Sequence, residues 1–335
     1  MLRFIIFLSF ILVIRLFLFY SQDRTFSNNQ ELRLPVVFEA KEKIVSTFNK
    51  SLPNEESALL LGIVYGEKGK FDSGYFDAMR RTGVLHVIAA SGMNVTMTAG
   101  VIFAILSYLM KRTHALVFAS LAIIVYAALA NFEESIVRAA IMALFAYGAG
   151  LFGRQNTSLL ALFFAVFIMV FYDPPIVEKV GFQLSVAATS GIILFEPILK
   201  KLSSNLPAGR QGIFFEDFRT TLSAQIATVP ILLFYFTTYS PISIISNLLI
   251  LWTVPPLMIL GILASILGLF AEVLTTPFLW LALPLLLYFK EIVLFLNKFA
   301  FEFKTQEVPL GLILGYYFMV LAIILWVYKK LGRRV

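Results

Sequence analysis

The sequence contains no cysteine, which excludes disulfide staples and thiolate-bound metal centres. Its two histidines, His86 and His114, make no sequence-readable metal cluster, so neither a metal nor another cofactor is expected. No P-loop run occurs, so a nucleotide-driven motor is expected on another protein. Charge is scarce too. Asp, Glu, Lys and Arg make up 14% of the 335 residues, against roughly 25% in soluble domains. Apolar residues reach 59%, and several runs exceed the roughly 18 residues that mark a membrane-crossing helix. The chain reads as an all-α polytopic membrane protein. Its formal charge of +7 adds little, because membrane proteins gather Lys and Arg in cytoplasmic loops for topology alone.

Residues 1–20 are apolar, long for a signal peptide and followed by no small-residue cleavage site; they read as a signal-anchor span. Arg15 near its outer end can snorkel to the interface. Residues 21–82 form the one long polar segment, with nine basic and nine acidic residues. Within it, Asn54 before Glu55 and Glu56 opens a capped helix, and a short extracytoplasmic, interfacial helical hairpin is expected. Spans follow near 84–110, 114–131, 135–152, 156–172, 180–197, 219–239, 243–270, 278–299 and 309–328. With the anchor this makes about ten transmembrane helices, some broken, in a membrane domain over 83–328 with a basic tail at 329–335. Charge bias supports the count. With Lys329, Lys330, Arg333 and Arg334 in the cytoplasm, alternation places Arg3, Lys111, Arg112, Arg154, Lys200, Lys201, Arg210 and Arg219 there too. The short outer loops then hold only Lys179 and Lys304, and both termini are cytoplasmic. Loop 200–219 is turn-rich and carries no assigned function.

The chemistry concentrates in residues 80–100, RRTGVLHVIAASGMNVTMTAG. Arg80 and Arg81 stand at the water-side end, and His86, Ser91, Asn94, Thr96 and Thr98 run towards the membrane centre. Polar groups in hydrocarbon are costly unless paired or wetted, so the stretch reads as a helix broken near Gly92 and facing a cavity. Ser91 and Asn94 are open to three roles. They can line a pore, bond neighbouring helices, or, with Ser91 as nucleophile and His86 as base, form an intramembrane hydrolase. The last needs an acid that is absent nearby, and His86 shares a helix face with Asn94 rather than Ser91. No catalytic residue is assigned. Arg138 lies just inside a span, four residues after Glu134; it makes an ion pair at the outer interface or marks an anion path. Gln183, Gln225 and Asn247 put amides in three further spans. Together with Asn94 and Arg138 they point to a hydrated interior that passes a long polar polymer without gripping it. Lys290 and Glu291 lie mid-span, in a partly interfacial helix or, for Glu291, in proton coupling.

Seven motifs occur in order between about 58 and 270: LLLGIVYGEKG, FDAMRRTGVLHVIAASGMNV, SIVRAAIM, FGR, DPPIVEKVGFQLSVAATSGI, AQIATVPILLFYF and SNLLILWTVPP. In these the chain resembles the competence membrane domain of the ComEC-type DNA-internalisation proteins. The resemblance implies a multi-pass channel of the bacterial inner membrane that passes single-stranded DNA to the cytoplasm during natural transformation. It places His86, Ser91, Gly92 and Asn94 in the signature segment and points to Arg138, Gln183, Gln225 and Asn247. Arg80 and Arg81 would draw the phosphate chain at the outer side. Asn94 stands where the family often has histidine. Many members add an OB-like and a metallo-β-lactamase-like domain. Residues 21–82 are short for the first and no HxHxDH-type motif marks the second, so a shortened member is expected. The DNA receptor, nuclease and helicase or translocase would then be separate proteins. Transport of another anionic polymer or lipid-linked molecule on the same scaffold is the alternative.

Overall fold

Apolar runs bounded by Pro, Gly and charged residues become helices, because in lipid a backbone must satisfy its own hydrogen bonds. The computed structural model describes residues 2–21, 35–67, 69–88, 91–153, 157–203, 213–236, 238–301, 303–304 and 308–332. The order begins with α1 (Leu2–Ser21), α2 (Pro35–Ser51), α3 (Asn54–Tyr65), α4 (Ser73–Arg81) and α5 (Leu85–Ile88). It continues with α6 (Gly92–Leu109), α7 (Arg112–Leu129), α8 (Glu134–Leu151), α9 (Ser158–Tyr172) and α10 (Val180–Ser203). Last come α11 (Ile213–Phe236), α12 (Ser243–Ile250), α13 (Val254–Phe270), α14 (Thr276–Asn297) and α15 (Leu310–Gly332). Two short strands, β1 (Thr238–Tyr239) and β2 (Phe303–Lys304), pair antiparallel.

Six helical stretches among the described residues are long and apolar enough to cross a membrane: Gly92–Leu109, Arg112–Leu129, Glu134–Leu151, Val180–Lys201, Ser243–Phe270 and Glu272–Asn297. Ile6–Ser21, Ser158–Tyr172 and Gly311–Ile324 are apolar but shorter. The chain is therefore an all-α polytopic membrane protein, with six such stretches among the described residues beside the three shorter apolar helices. The expected span at 219–239 is α11, where Arg219, Thr220, Thr221, Ser223 and Gln225 dilute the apolar run. The helix also starts earlier than expected, at Ile213, which carries Arg219 out of the loop and into the helix. There it is 5% exposed, lying over the Phe215 ring and 3.7 Å from Glu216.

The helices divide into two compact units, and the division is not sequential. One comprises Met1–Asp72, His86–Phe182 and Thr253–Phe289; the other comprises Ser73–Leu85, Gln183–Trp252 and Lys290–Val335. In the first, α6, α7, α8 and α9 pack in succession, α1 lies against α9, and α2 and α3 pack on α13. Ala115, Ala119, Ala139, Ala140, Ala161 and Ala165 are buried here, and such small residues let membrane helices approach closely. The α2–α3 hairpin is packed against protein along α3. Every residue of α3 from Glu56 to Tyr65 is buried, and Val64 meets Gly261 midway along α13. In the second unit α11 is central, packing on α12, α15 and β1.

Candidate functional site at the break before α6

α3 stops at Gly66, whose φ of 70° lies in the left-handed region that a residue without Cβ adopts freely. The Gly66 amide donates back to the Gly62 carbonyl at 2.9 Å and the Glu67 amide to the Leu61 carbonyl at 3.4 Å, so the helix closes in an αL cap. The carbonyls of Ile63 and Val64 remain in the last turn, where helices leave acceptors unmet. Both are met from other helices. Asn94 Nδ2 of α6 donates to Ile63 O at 2.6 Å, and the Tyr126 hydroxyl of α7 donates to Val64 O at 2.5 Å. Asn94 is 1% exposed and Tyr126 is 4% exposed, so neither has water as a substitute.

Asn94 reaches Ile63 because the chain restarts just before it. Ser91 is extended (φ −105°, ψ 161°) and α6 begins at Gly92, which puts Asn94 in its first turn. The Asn94 amide N–H donates to Ser91 O at 3.0 Å, and Ser91 Oγ donates to Asn94 Oδ1 at 2.9 Å. The carboxamide thus has an acceptor on one side and a donor on the other, which fixes its orientation. The Ser91 proton points to an amide oxygen, the geometry of a helix start rather than of a serine and its base. His86, in α5, is exposed.

Gly92 does steric work. A Cβ built there would lie 2.7 Å from Arg138 Nη2 and 3.2 Å from Ala139 Cβ. A glycine here lets the Arg138 guanidinium of α8 lie against the first turn of α6. Arg138 is 6% exposed. The partial positive charge of the α6 N-terminus and the guanidinium therefore converge on one place, an arrangement that negative charge stabilises. Glu134, one turn earlier on α8, pairs with Lys179 at 3.1 Å.

The other expected residues lie in the second unit. Gln225 Nε2 donates to Ser243 Oγ at 3.0 Å, tying α11 to α12. Asn247, one turn further along α12, is 6% exposed, and its Oδ1 has no hydrogen-bond partner among the described residues. The same is true of Ser223 Oγ on α11, which is fully buried. Gln183 is half-buried in the first turn of α10. Arg80 is exposed and pairs with Asp77 at 3.4 Å. Arg81 Nη2 donates to Ala300 O at 3.1 Å, and its own carbonyl accepts from Ser240 Oγ. Lys290 stands over the Tyr75 ring, 6.0 Å from its centre. Arg154 lies outside the described residues.

Sequence reasoning missed three tyrosines. Tyr126 completes the end of α3. Tyr316 and Tyr317 of α15 donate to the carbonyls of Ile226 and Ala227 at 2.9 and 2.7 Å. Pro230 inside α11 explains that need: it has no N–H for the carbonyl four residues back, Ile226, and its ring disturbs the turn around it. The proline was a readable signal for an unmet acceptor, but nothing local named the donor.

Residues 63–330 match the family described as competence protein. A curated relative, ComE operon protein 3 of Bacillus subtilis (strain 168), is 27% identical over 214 residues, covering 64% of this chain and 26% of the relative. An uncharacterized protein of Aquifex aeolicus (strain VF5) is 27% identical over 216 residues, covering 64% of this chain and 49% of that protein. The chain thus spans about a quarter of the first relative and about half of the second. No solved structure gives a significant match. The family match runs from the last turn of α3 into α15 and takes in the break, its arginine and the proline-bearing α11, so this chain belongs to the competence protein family.

Proposed function

We propose that this chain is the membrane conduit through which a single strand of DNA passes to the cytoplasm during DNA uptake, as natural transformation requires. The observation that carries this reading is the convergence of the α6 N-terminus and the buried Arg138 guanidinium across Gly92. Helix N-termini and arginines both suit phosphate, and a phosphodiester chain offers it at every step. Family membership supports the same substrate. The amides and hydroxyls of Gln225, Ser243, Asn247 and Ser223 supply neutral hydrogen-bonding groups to a chain in transit, weakly enough for release. In this reading the protein conducts and does no covalent chemistry. It sits in the bacterial inner membrane with both termini in the cytoplasm. Arg80 and Arg81 lie on the outer side, where they add positive potential. A DNA receptor, a nuclease and a cytoplasmic helicase or translocase complete the system.

The test is passage of labelled single-stranded DNA into sealed proteoliposomes preloaded with a single-strand-binding protein as a trap. Nuclease-protected label is expected for the wild type. Arg138→Ala should lower it by about tenfold or more, the weight of one charge-assisted hydrogen bond, while Arg138→Lys should retain part. Gly92→Ala, whose methyl group displaces the guanidinium, should act in the same direction. Passage indifferent to all three would remove the path from this break. A folded protein that neither binds nor passes DNA would point to another anionic polymer or lipid-linked substrate.

A further inference from the structure

Where α8 begins and α9 ends, within a turn of Arg138, the first unit carries a cleft of about 290 Å³. Its walls include Val137 and Ile141 of α8 and Ile168 and Met169 of α9. The charged residues in its lining, Glu134, Asp173 and Lys179, all lie at the helix ends. Polarity therefore changes from ionic to apolar within about two helical turns, roughly 10 Å. A phospholipid shows the same change from headgroup to first acyl carbons.

The charges are specific about which headgroup. Lys179 Nζ is 3.1 Å from Glu134 Oε1 and 3.8 Å from Asp173 Oδ2, so two carboxylates share one ammonium. The neighbouring Glu178 accepts the Tyr20 hydroxyl of α1 at 2.6 Å and adds a third carboxylate. Two lining acids against one lysine, with Glu178 beside them, leave an excess of negative charge at the end of a membrane span. An anionic lipid is disfavoured by that balance. A zwitterion that brings its own ammonium to the carboxylates and its phosphate to the lysine completes an alternating set of charges. A primary ammonium suits the place better than a quaternary one, because its N–H groups donate to carboxylate oxygens.

We propose that this cleft seats one aminophospholipid. Its ammonium lies between Glu134 and Asp173, its phosphate on Lys179, and the start of one acyl chain against Ile141 and Met169.

The experiment is retention of lipid by the purified full-length protein in native mass spectrometry, with phosphatidylethanolamine, phosphatidylcholine and phosphatidylglycerol supplied in equal amounts. The wild type is expected to retain phosphatidylethanolamine about tenfold over the other two, as one set of charge-assisted hydrogen bonds implies. Glu134→Gln with Asp173→Asn should abolish that preference, and Glu134→Gln alone should weaken it in a milder background. Met169→Trp should fill the apolar wall and reduce retention of all three lipids. Gel filtration and helical circular dichroism of each variant separate loss of the site from loss of fold. Equal retention of the three lipids, a preference for phosphatidylglycerol, or a phosphatidylethanolamine preference untouched by the carboxylate variants would each overturn the proposal.

Discussion

The two units meet one physical problem in different ways. In the first, α3 ends among buried apolar side chains, and its last carbonyls are met by a turn of its own chain, by Asn94 and by Tyr126. In the second, Pro230 interrupts α11 from within, and the freed carbonyls are met by two adjacent tyrosines of α15. The first solution recruits the polar signature and so couples the break before α6 to the α2–α3 hairpin. In the second, Asn247 retains an oxygen with no hydrogen-bond partner among the described residues. A buried asparagine is thus a structural clasp in one unit and an unsatisfied acceptor in the other.

Substitution at the two asparagines separates these roles most sharply. Asn94→Leu strands Ile63 O and Ser91 Oγ together, and at roughly 1–3 kcal/mol for each buried group it should destabilise by about 2–5 kcal/mol. Thermal unfolding in detergent reads that loss, and a melting temperature equal to wild type would dissolve the contrast. Tyr126→Phe removes one donor without changing shape and should cost about 1–3 kcal/mol in the same assay. In the second unit, Tyr316→Phe should cost about 1 kcal/mol in the native background and distinctly less with Pro230→Ala, whose restored N–H can serve Ile226. A coupling of zero in that double-mutant cycle would separate the tyrosine from the proline. Asn247→Leu should change stability by less than about 1 kcal/mol, because an amide that leaves its oxygen unmatched gives up little when replaced by an apolar side chain of similar size. If Asn247→Leu proved as damaging as Asn94→Leu, both residues would be clasps.

The membrane class, the helical architecture and the break near Gly92 were legible because polar residues stand out within apolar runs. Asn94 and Arg138 stand out for that reason and Gly92 as a break in the run, and the structure places the three close together. Their partners were not legible. Ile63 lies 31 residues before Asn94, and Ile226 lies 90 residues before Tyr316, so no local pattern links them. Tyrosine is also common in membrane proteins and gives no polar signal of its own. Arg219 was read as a loop charge because the helical run beginning at Ile213 contains Glu216 and Asp217 and does not resemble a span. The grouping of α4 with the C-terminal helices depends on contacts such as Arg81 with Ala300, which spacing along the chain does not encode.

The αL-capped end of α3 also has a consequence for biogenesis. Its last carbonyls wait for Asn94 and Tyr126, and Tyr126 is made 62 residues after Val64. At roughly 5–20 residues per second, a ribosome needs about 3–12 s to supply that donor. Burial of the end of α3 before α7 is made would leave Val64 O without its donor.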